Sequence, residues 1–160
     1  MIRFLNTALT FQEVPDEVSL CVNVTNCPHR CPGCHSPELR EDAGRDLELS
    51  LPVLLQKFGS DMTCVCLMGE GNDIDALVRC LSVIRAHGFK TCLYTGCDKP
   101  SDVLQAIPYL DYLKLGRWDH ELGGLDRSTT NQRMYRLTVD PSNPGYPDFH
   151  DITWKFRPAD

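Results

Sequence analysis

Residues 18–39 read VSLCVNVTNCPHRCPGCHSPEL, and the fold turns on how that stretch divides. Its first part, 18–25, is apolar and β-branched, with Pro15-Asp16 before it and Asn26 after it, the pattern of a buried strand. The remainder carries three prolines and a glycine and has neither strand nor helix periodicity, so it reads as a loop. A strand that delivers a run of thiols at its carboxyl end sets the reading of everything downstream.

Working outward, Ser50 precedes LPVLLQKFG, where a serine cap, an early proline and Gly59 predict a short helix. TCVCLM at 63–68 is a second strand. Ile74, Leu77, Val78, Leu81 and Ile84 then fall at helical spacing, with Asp73 placed to cap and His87-Gly88 placed to stop. FKTCLYT at 89–95 is a third strand, Ser101 caps a short helix through Ile107, Pro108 ends it, and YLDYLKL at 109–115 is a fourth strand. Alternating apolar strands and amphipathic helices predict an α/β fold with a mostly parallel sheet and ligand chemistry at the strands' carboxyl ends. At 160 residues the chain is too short for a closed eightfold barrel, which takes about 250. The expectation is a single-domain open partial (β/α) barrel over 1–160, with its core at 13–140 and an irregular tail at 141–160.

Composition narrows the function. Sixteen Lys and Arg against 22 Asp and Glu leave a net charge of -6 with no clustered basic field, which argues against nucleic acid as the main partner. The 42% hydrophobic content includes no run near the roughly 18 residues needed to cross a bilayer, so no membrane partner is expected. MIRFLNTALTFQEVP lacks the continuous apolar segment of a secretory signal, and the expected location is cytoplasmic and reducing.

Nine cysteines must then be explained as packing, metal ligation or catalysis. Cys21, Cys64, Cys66, Cys80 and Cys92 sit in apolar stretches, where a thiol acts as a small hydrophobe. Cys97, after Gly96, receives no role. Cys27, Cys31 and Cys34 differ, because their C-x3-C-x2-C spacing on a loop lets short turns bring three sulfurs together around a soft metal centre, zinc or iron-sulfur. His35 could complete a Cys3His zinc set, although zinc ligands more often come as two separated pairs. A three-thiolate cubane instead leaves one iron open to substrate or cofactor.

The triplet on a loop straight after the first strand resembles the radical S-adenosylmethionine (SAM) superfamily. CPGCHSPEL around the third cysteine, LYTG at 93–96 and TTNQRMY at 129–135 resemble its small branch of activating proteins for anaerobic ribonucleoside-triphosphate reductase, over residues 13–135. The resemblance implies a [4Fe-4S] cluster on Cys27, Cys31 and Cys34, with SAM on the fourth iron. It implies SAM contacts at Gly33, Cys34, His35, Gly69 and Glu70, the last two in the place of the family's Gly-Gly-Glu/Asp-Pro turn. The implied activity is reductive cleavage of SAM, which leaves a glycyl radical on the reductase subunit. The implied partners are that subunit and an electron donor such as flavodoxin or ferredoxin.

The chain departs from the family pattern in three places: the turn at 68–71, EVPDEV before the first strand, and Leu115-Gly116-Arg117 in place of Asp-Gly-Lys. Asn131 and Gln132 match, yet equally suit a loop that hydrogen-bonds its own backbone. An activase of another glycyl-radical enzyme and a zinc-stabilised binding module remain as alternative functions.

Overall fold

A computed structural model describes residues 1–158. Among them are eight strands and two α-helices: β1 Arg3–Thr10, β2 Ser19–Val24, β3 Arg45–Asp46, α1 Leu47–Phe58, β4 Cys64–Met68, α2 Ile74–Ala86, β5 Lys90–Tyr94, β6 Tyr112–Leu115, β7 Arg133–Asp140 and β8 Asn143–Asp151. They form one sheet in the order β3-β1-β2-β4-β5-β6-β7-β8. The expected mostly parallel open partial barrel does not form. Only β2-β4, β4-β5 and β5-β6 are parallel; the other four pairings are antiparallel, which makes the sheet mixed.

The physical reason lies outside the four apolar runs. β1 and β7 bury only scattered positions, so neither shows the continuous apolar run of a doubly covered strand. β8 is mostly exposed, carries two prolines and pairs with β7 as an edge hairpin, in the stretch expected to be an irregular tail. Antiparallel strands added at both sides extend the parallel core into one eight-stranded mixed sheet.

Within the parallel core the apolar runs work as read. Alternate residues face opposite sides of the sheet. Leu20, Val22, Val65, Leu67, Leu93 and Leu113 pack on one side with Leu51 and Leu55 of α1 and Leu77, Leu81 and Ile84 of α2. The other side carries Cys21, Cys64, Cys66, Cys92, Tyr112 and Met134, covered by Val14 and Leu125. Cys21, Cys66 and Cys92 stand in register on adjacent parallel strands, a ladder of thiols used as packing.

The helices are set by their caps. Asp73 accepts from Ala76 N at 3.0 Å and starts α2 where its periodicity places it. α1 starts earlier than the Ser50 cap implies: Asp46 accepts from Leu49 N at 3.2 Å, while the Ser50 hydroxyl donates to Asp46 O. The helix expected at 101–107 is two short 3-10 turns, Pro100–Val103 and Ile107–Tyr109, with Pro100 opening the first and Pro108 standing second in the other. No helix is long and apolar enough to cross a membrane among the described residues.

Candidate functional site

Because β2, β4, β5 and β6 run parallel, the loops after Val24, Met68, Tyr94 and Leu115 gather at one edge of the sheet. The first is the cysteine loop. Its entry is fixed by Asn26 N donating to Glu41 O and Cys27 N to Leu39 O, so residues 39–41 run back alongside residues 26–27. A turn closes it, with Cys34 N donating to Cys31 O at 3.2 Å, and Gly33 at φ +70° supplies the left-handed residue. Arg40 Nη2 donates to Cys31 O at 2.7 Å.

Cys27, Cys31 and Cys34 are free and half-buried. Ser36 N donates to Cys34 Sγ at 3.4 Å, a contact that suits a thiolate. Burial pushes the Cys27 thiol up, a hydrogen bond with the His29 backbone offsets part of this, and Glu70, Cys31 and Cys34 push it further. The three sulfurs do not all lie within 4.8 Å of one another.

Buried polar atoms without partners ring this loop: Arg40 Nε, Glu70 Oε2 and Trp118 Nε1. Such atoms are rare in folded proteins, where buried polar groups are paired with protein or with water. Three thiols on one loop are a donor set of the kind that holds an iron-sulfur cluster.

The remaining expected residues are placed as follows. Gly33 and His35 are exposed, and His35 lies against Trp118 with ring centroids 4.3 Å apart. Gly69 N donates to Tyr94 O at 2.9 Å, tying the ends of β4 and β5. Glu70 is paired with His29 Nε2 through Oε1, and its side chain is 11% exposed. Asn131 donates to Arg117 O at 3.1 Å and Gln132 to Gly116 O at 3.4 Å, which anchors the loop that carries Trp118.

Several residues of the site had no role in the sequence reading. His29 sits within the x3 of C-x3-C, and Cys97 follows β5; both meet Glu70. The Glu70 carboxylate holds His29 above the ordinary imidazole range against the lowering effect of burial. Lys114 is buried at the end of β6, its Nζ donating to Gly116 O at 2.6 Å, and burial brings its pKa down to about 8. The signal that could have found the His29 group is the register of β4 with β5, which sets residue 70 beside residues 95–97. Compared with protein-family models, with curated proteins and with solved structures, the chain matches none.

Proposed function

We propose that the chain is a radical-SAM activating enzyme that installs a glycyl radical on anaerobic ribonucleoside-triphosphate reductase. The observation that carries this reading is the position of Cys27, Cys31 and Cys34: half-buried, on one loop at the carboxyl edge of a parallel core, ringed by orphaned polar atoms. When bound, a [4Fe-4S] cluster with SAM at its open iron supplies one-electron cleavage of SAM and hydrogen-atom abstraction from a partner's glycine.

The chain's own part is to hold and aim. Cys27, Cys31 and Cys34 supply the thiolates, with the Ser36 amide on Cys34 and the Arg40 guanidinium fixing the loop through Cys31 O. Gly33 lets a ligand approach the main chain without meeting a side chain, and the His35-Trp118 pair forms a wall beside it. Gly69 N donates to Tyr94 O, which fixes the turn after β4 against the end of β5. Trp118 Nε1 and Arg40 Nε are donors ready for a carboxylate or a ribose oxygen.

Anaerobic reconstitution with iron and sulfide tests the reading. About four irons per chain and release of 5'-deoxyadenosine on reduction with SAM are expected, followed by a glycyl-radical electron paramagnetic resonance signal on the reductase. A chain that takes up no iron, or holds iron and leaves SAM intact, overturns it. A signal on a different glycyl-radical enzyme alone would reassign the partner.

A further inference from the structure

His29, Glu70 and Cys97 come from the loops after β2, β4 and β5, and one ligand atom from each lies within 4.8 Å of the others. Cys97 Sγ is 3.7 Å from His29 Nε2 and 3.6 Å from Glu70 Oε1. A zinc ion with bonds of about 2.3 Å to sulfur and about 2.1 Å to nitrogen and oxygen has tetrahedral sulfur-nitrogen and sulfur-oxygen edges of about 3.6 Å. Two edges of the triangle are therefore already set for such an ion. The third is closed by the His29-Glu70 hydrogen bond and must open to about 3.4 Å as the ion replaces the shared proton.

The surroundings are also built for it. A Cβ on Gly96 would lie 2.7 Å from the His29 ring, so only glycine leaves the imidazole its place against that strand end. Glu70 Oε2 is buried without a partner among the described residues. A cavity of about 350 Å³ opens over the group, with Asp102 and Asp73 on its wall, the latter paired with the Met1 ammonium, while Arg117 lines the neighbouring cavity that shares His29.

We propose that His29, Glu70 and Cys97 form a second metal site, separate from the thiol triplet, that takes one divalent cation of the zinc class. Imidazole, carboxylate and thiolate together suit a borderline-soft ion and disfavour magnesium or calcium, which take all-oxygen sets. Three protein ligands leave a fourth position to be filled from the cavity by water or a small anion. On binding, the Cys97 thiol gives its proton to solvent and the His29 proton leaves Nε2. The ion then pins the cysteine loop to the ends of β4 and β5.

The site uses none of the triplet's thiols, so it is tested apart from the radical-SAM reading. In the full-length chain carrying Cys27→Ala, Cys31→Ala and Cys34→Ala, titration with Co²⁺ should give one ion per chain with the thiolate charge-transfer and intense visible bands of a tetrahedral site. Cys97→Ser added to that chain should abolish the charge-transfer band. His29→Gln should weaken binding at least tenfold. Absence of Co²⁺ uptake by a chain whose circular dichroism shows it folded, or a band that survives Cys97→Ser, overturns the proposal.

The chain with its triplet intact gives a second measurement should the triple variant misfold. Supplied with both metals, it should hold one zinc beyond its iron, and Cys97→Ser should lose the zinc while keeping the iron. No zinc, or zinc that departs with Cys27→Ala instead, overturns the second site; missing iron with zinc retained would count against the cluster alone.

Discussion

The two ends of the same four parallel strands each hold one buried carboxylate, and the two are satisfied to different degrees. At the amino end Glu17, 5% exposed, has both carboxylate oxygens occupied: Lys90 Nζ donates at 2.7 Å and Tyr112 OH at 3.0 Å to Oε1, and Thr63 donates to Oε2. These partners stand at or beside the starts of β4, β5 and β6, so one carboxylate stitches the core together. At the carboxyl end Glu70 has one oxygen on His29 and the other on nothing, with Arg40 Nε and Trp118 Nε1 equally unpartnered. Ser19 Oγ at the start of β2 is the fourth such atom. A satisfied network contributes stability, whereas an unsatisfied one costs it and is kept where a ligand completes it.

The largest expected effect lies at the open end. Cys27→Ala, Cys31→Ala or Cys34→Ala should each take reconstituted iron from about four per chain to none, and abolish 5'-deoxyadenosine release. Because these side chains are half-buried on a loop, the apo proteins should keep their unfolding midpoint within about 0.5 kcal/mol of the parent. Cys66→Ala should do the reverse, keeping iron and losing about 1–2 kcal/mol from a fully buried site. Iron analysis beside urea denaturation reads both.

Labelling the folded apo chain with a maleimide sharpens the division among the thiols. Cys64, Cys66 and Cys92 have no exposed surface, and burial raises their pKa, so they should react only through unfolding. Mass spectrometry should find the loop thiols modified at least about 10³-fold faster, given ordinary domain stability. Equal rates would dissolve the distinction between ligand thiols and packing thiols.

That distinction was legible in the sequence because it follows from what surrounds each thiol: apolar alternation in TCVCLM, prolines and glycine in NCPHRCPGC. The four parallel strands were legible for the same reason, since a strand buried on both faces must be apolar throughout. β1, β7 and β8 were not. RFLNTALT and NPGYPDFHD owe their extended form to backbone pairing with a neighbour more than to side-chain burial, and that pairing partner is invisible locally. Missing them turned a mixed sheet into an expected partial barrel. The His29-Glu70-Cys97 group was hidden likewise, because its members are 41 and 27 residues apart and meet only through strand register.

Lys114 probes what the open end costs. Burial lowers its pKa from 10.5 to about 8. The penalty for its buried charge is therefore full below about pH 8 and is relieved as pH rises from there towards the unfolded value near 10.5. Lys114→Met should be more stable than the parent at pH 7 by up to about 3 kcal/mol, less whatever the lost bond to Gly116 O contributes. The advantage should shrink between pH 8 and pH 10. Paired denaturation curves at the two pH values check this, and a variant less stable at pH 7 would mean that the ammonium is structurally required in the apo chain.

Glu17 probes the closed end, and its effect should be the smallest. Burial by itself raises the carboxyl pKa, but Lys90, Thr63 and Tyr112 together outweigh it and leave the pKa below the ordinary value. For a carboxylate whose folded pKa is depressed, the stabilisation is present above the unfolded pKa near 4.5 and is lost as pH falls through the folded value. Lys90 is 56% exposed, so solvent screening holds that ion pair to about 1 kcal/mol. Glu17→Gln keeps the shape and some of the hydrogen bonding but removes the charge, so it should cost about 1 kcal/mol at pH 7. The gap to the parent should close under acid as the parent's own carboxylate protonates. A gap that persists unchanged below the folded pKa would place the contribution in packing and neutral hydrogen bonds, and the two ends would then differ in how completely their polar groups are satisfied, with charge playing no part.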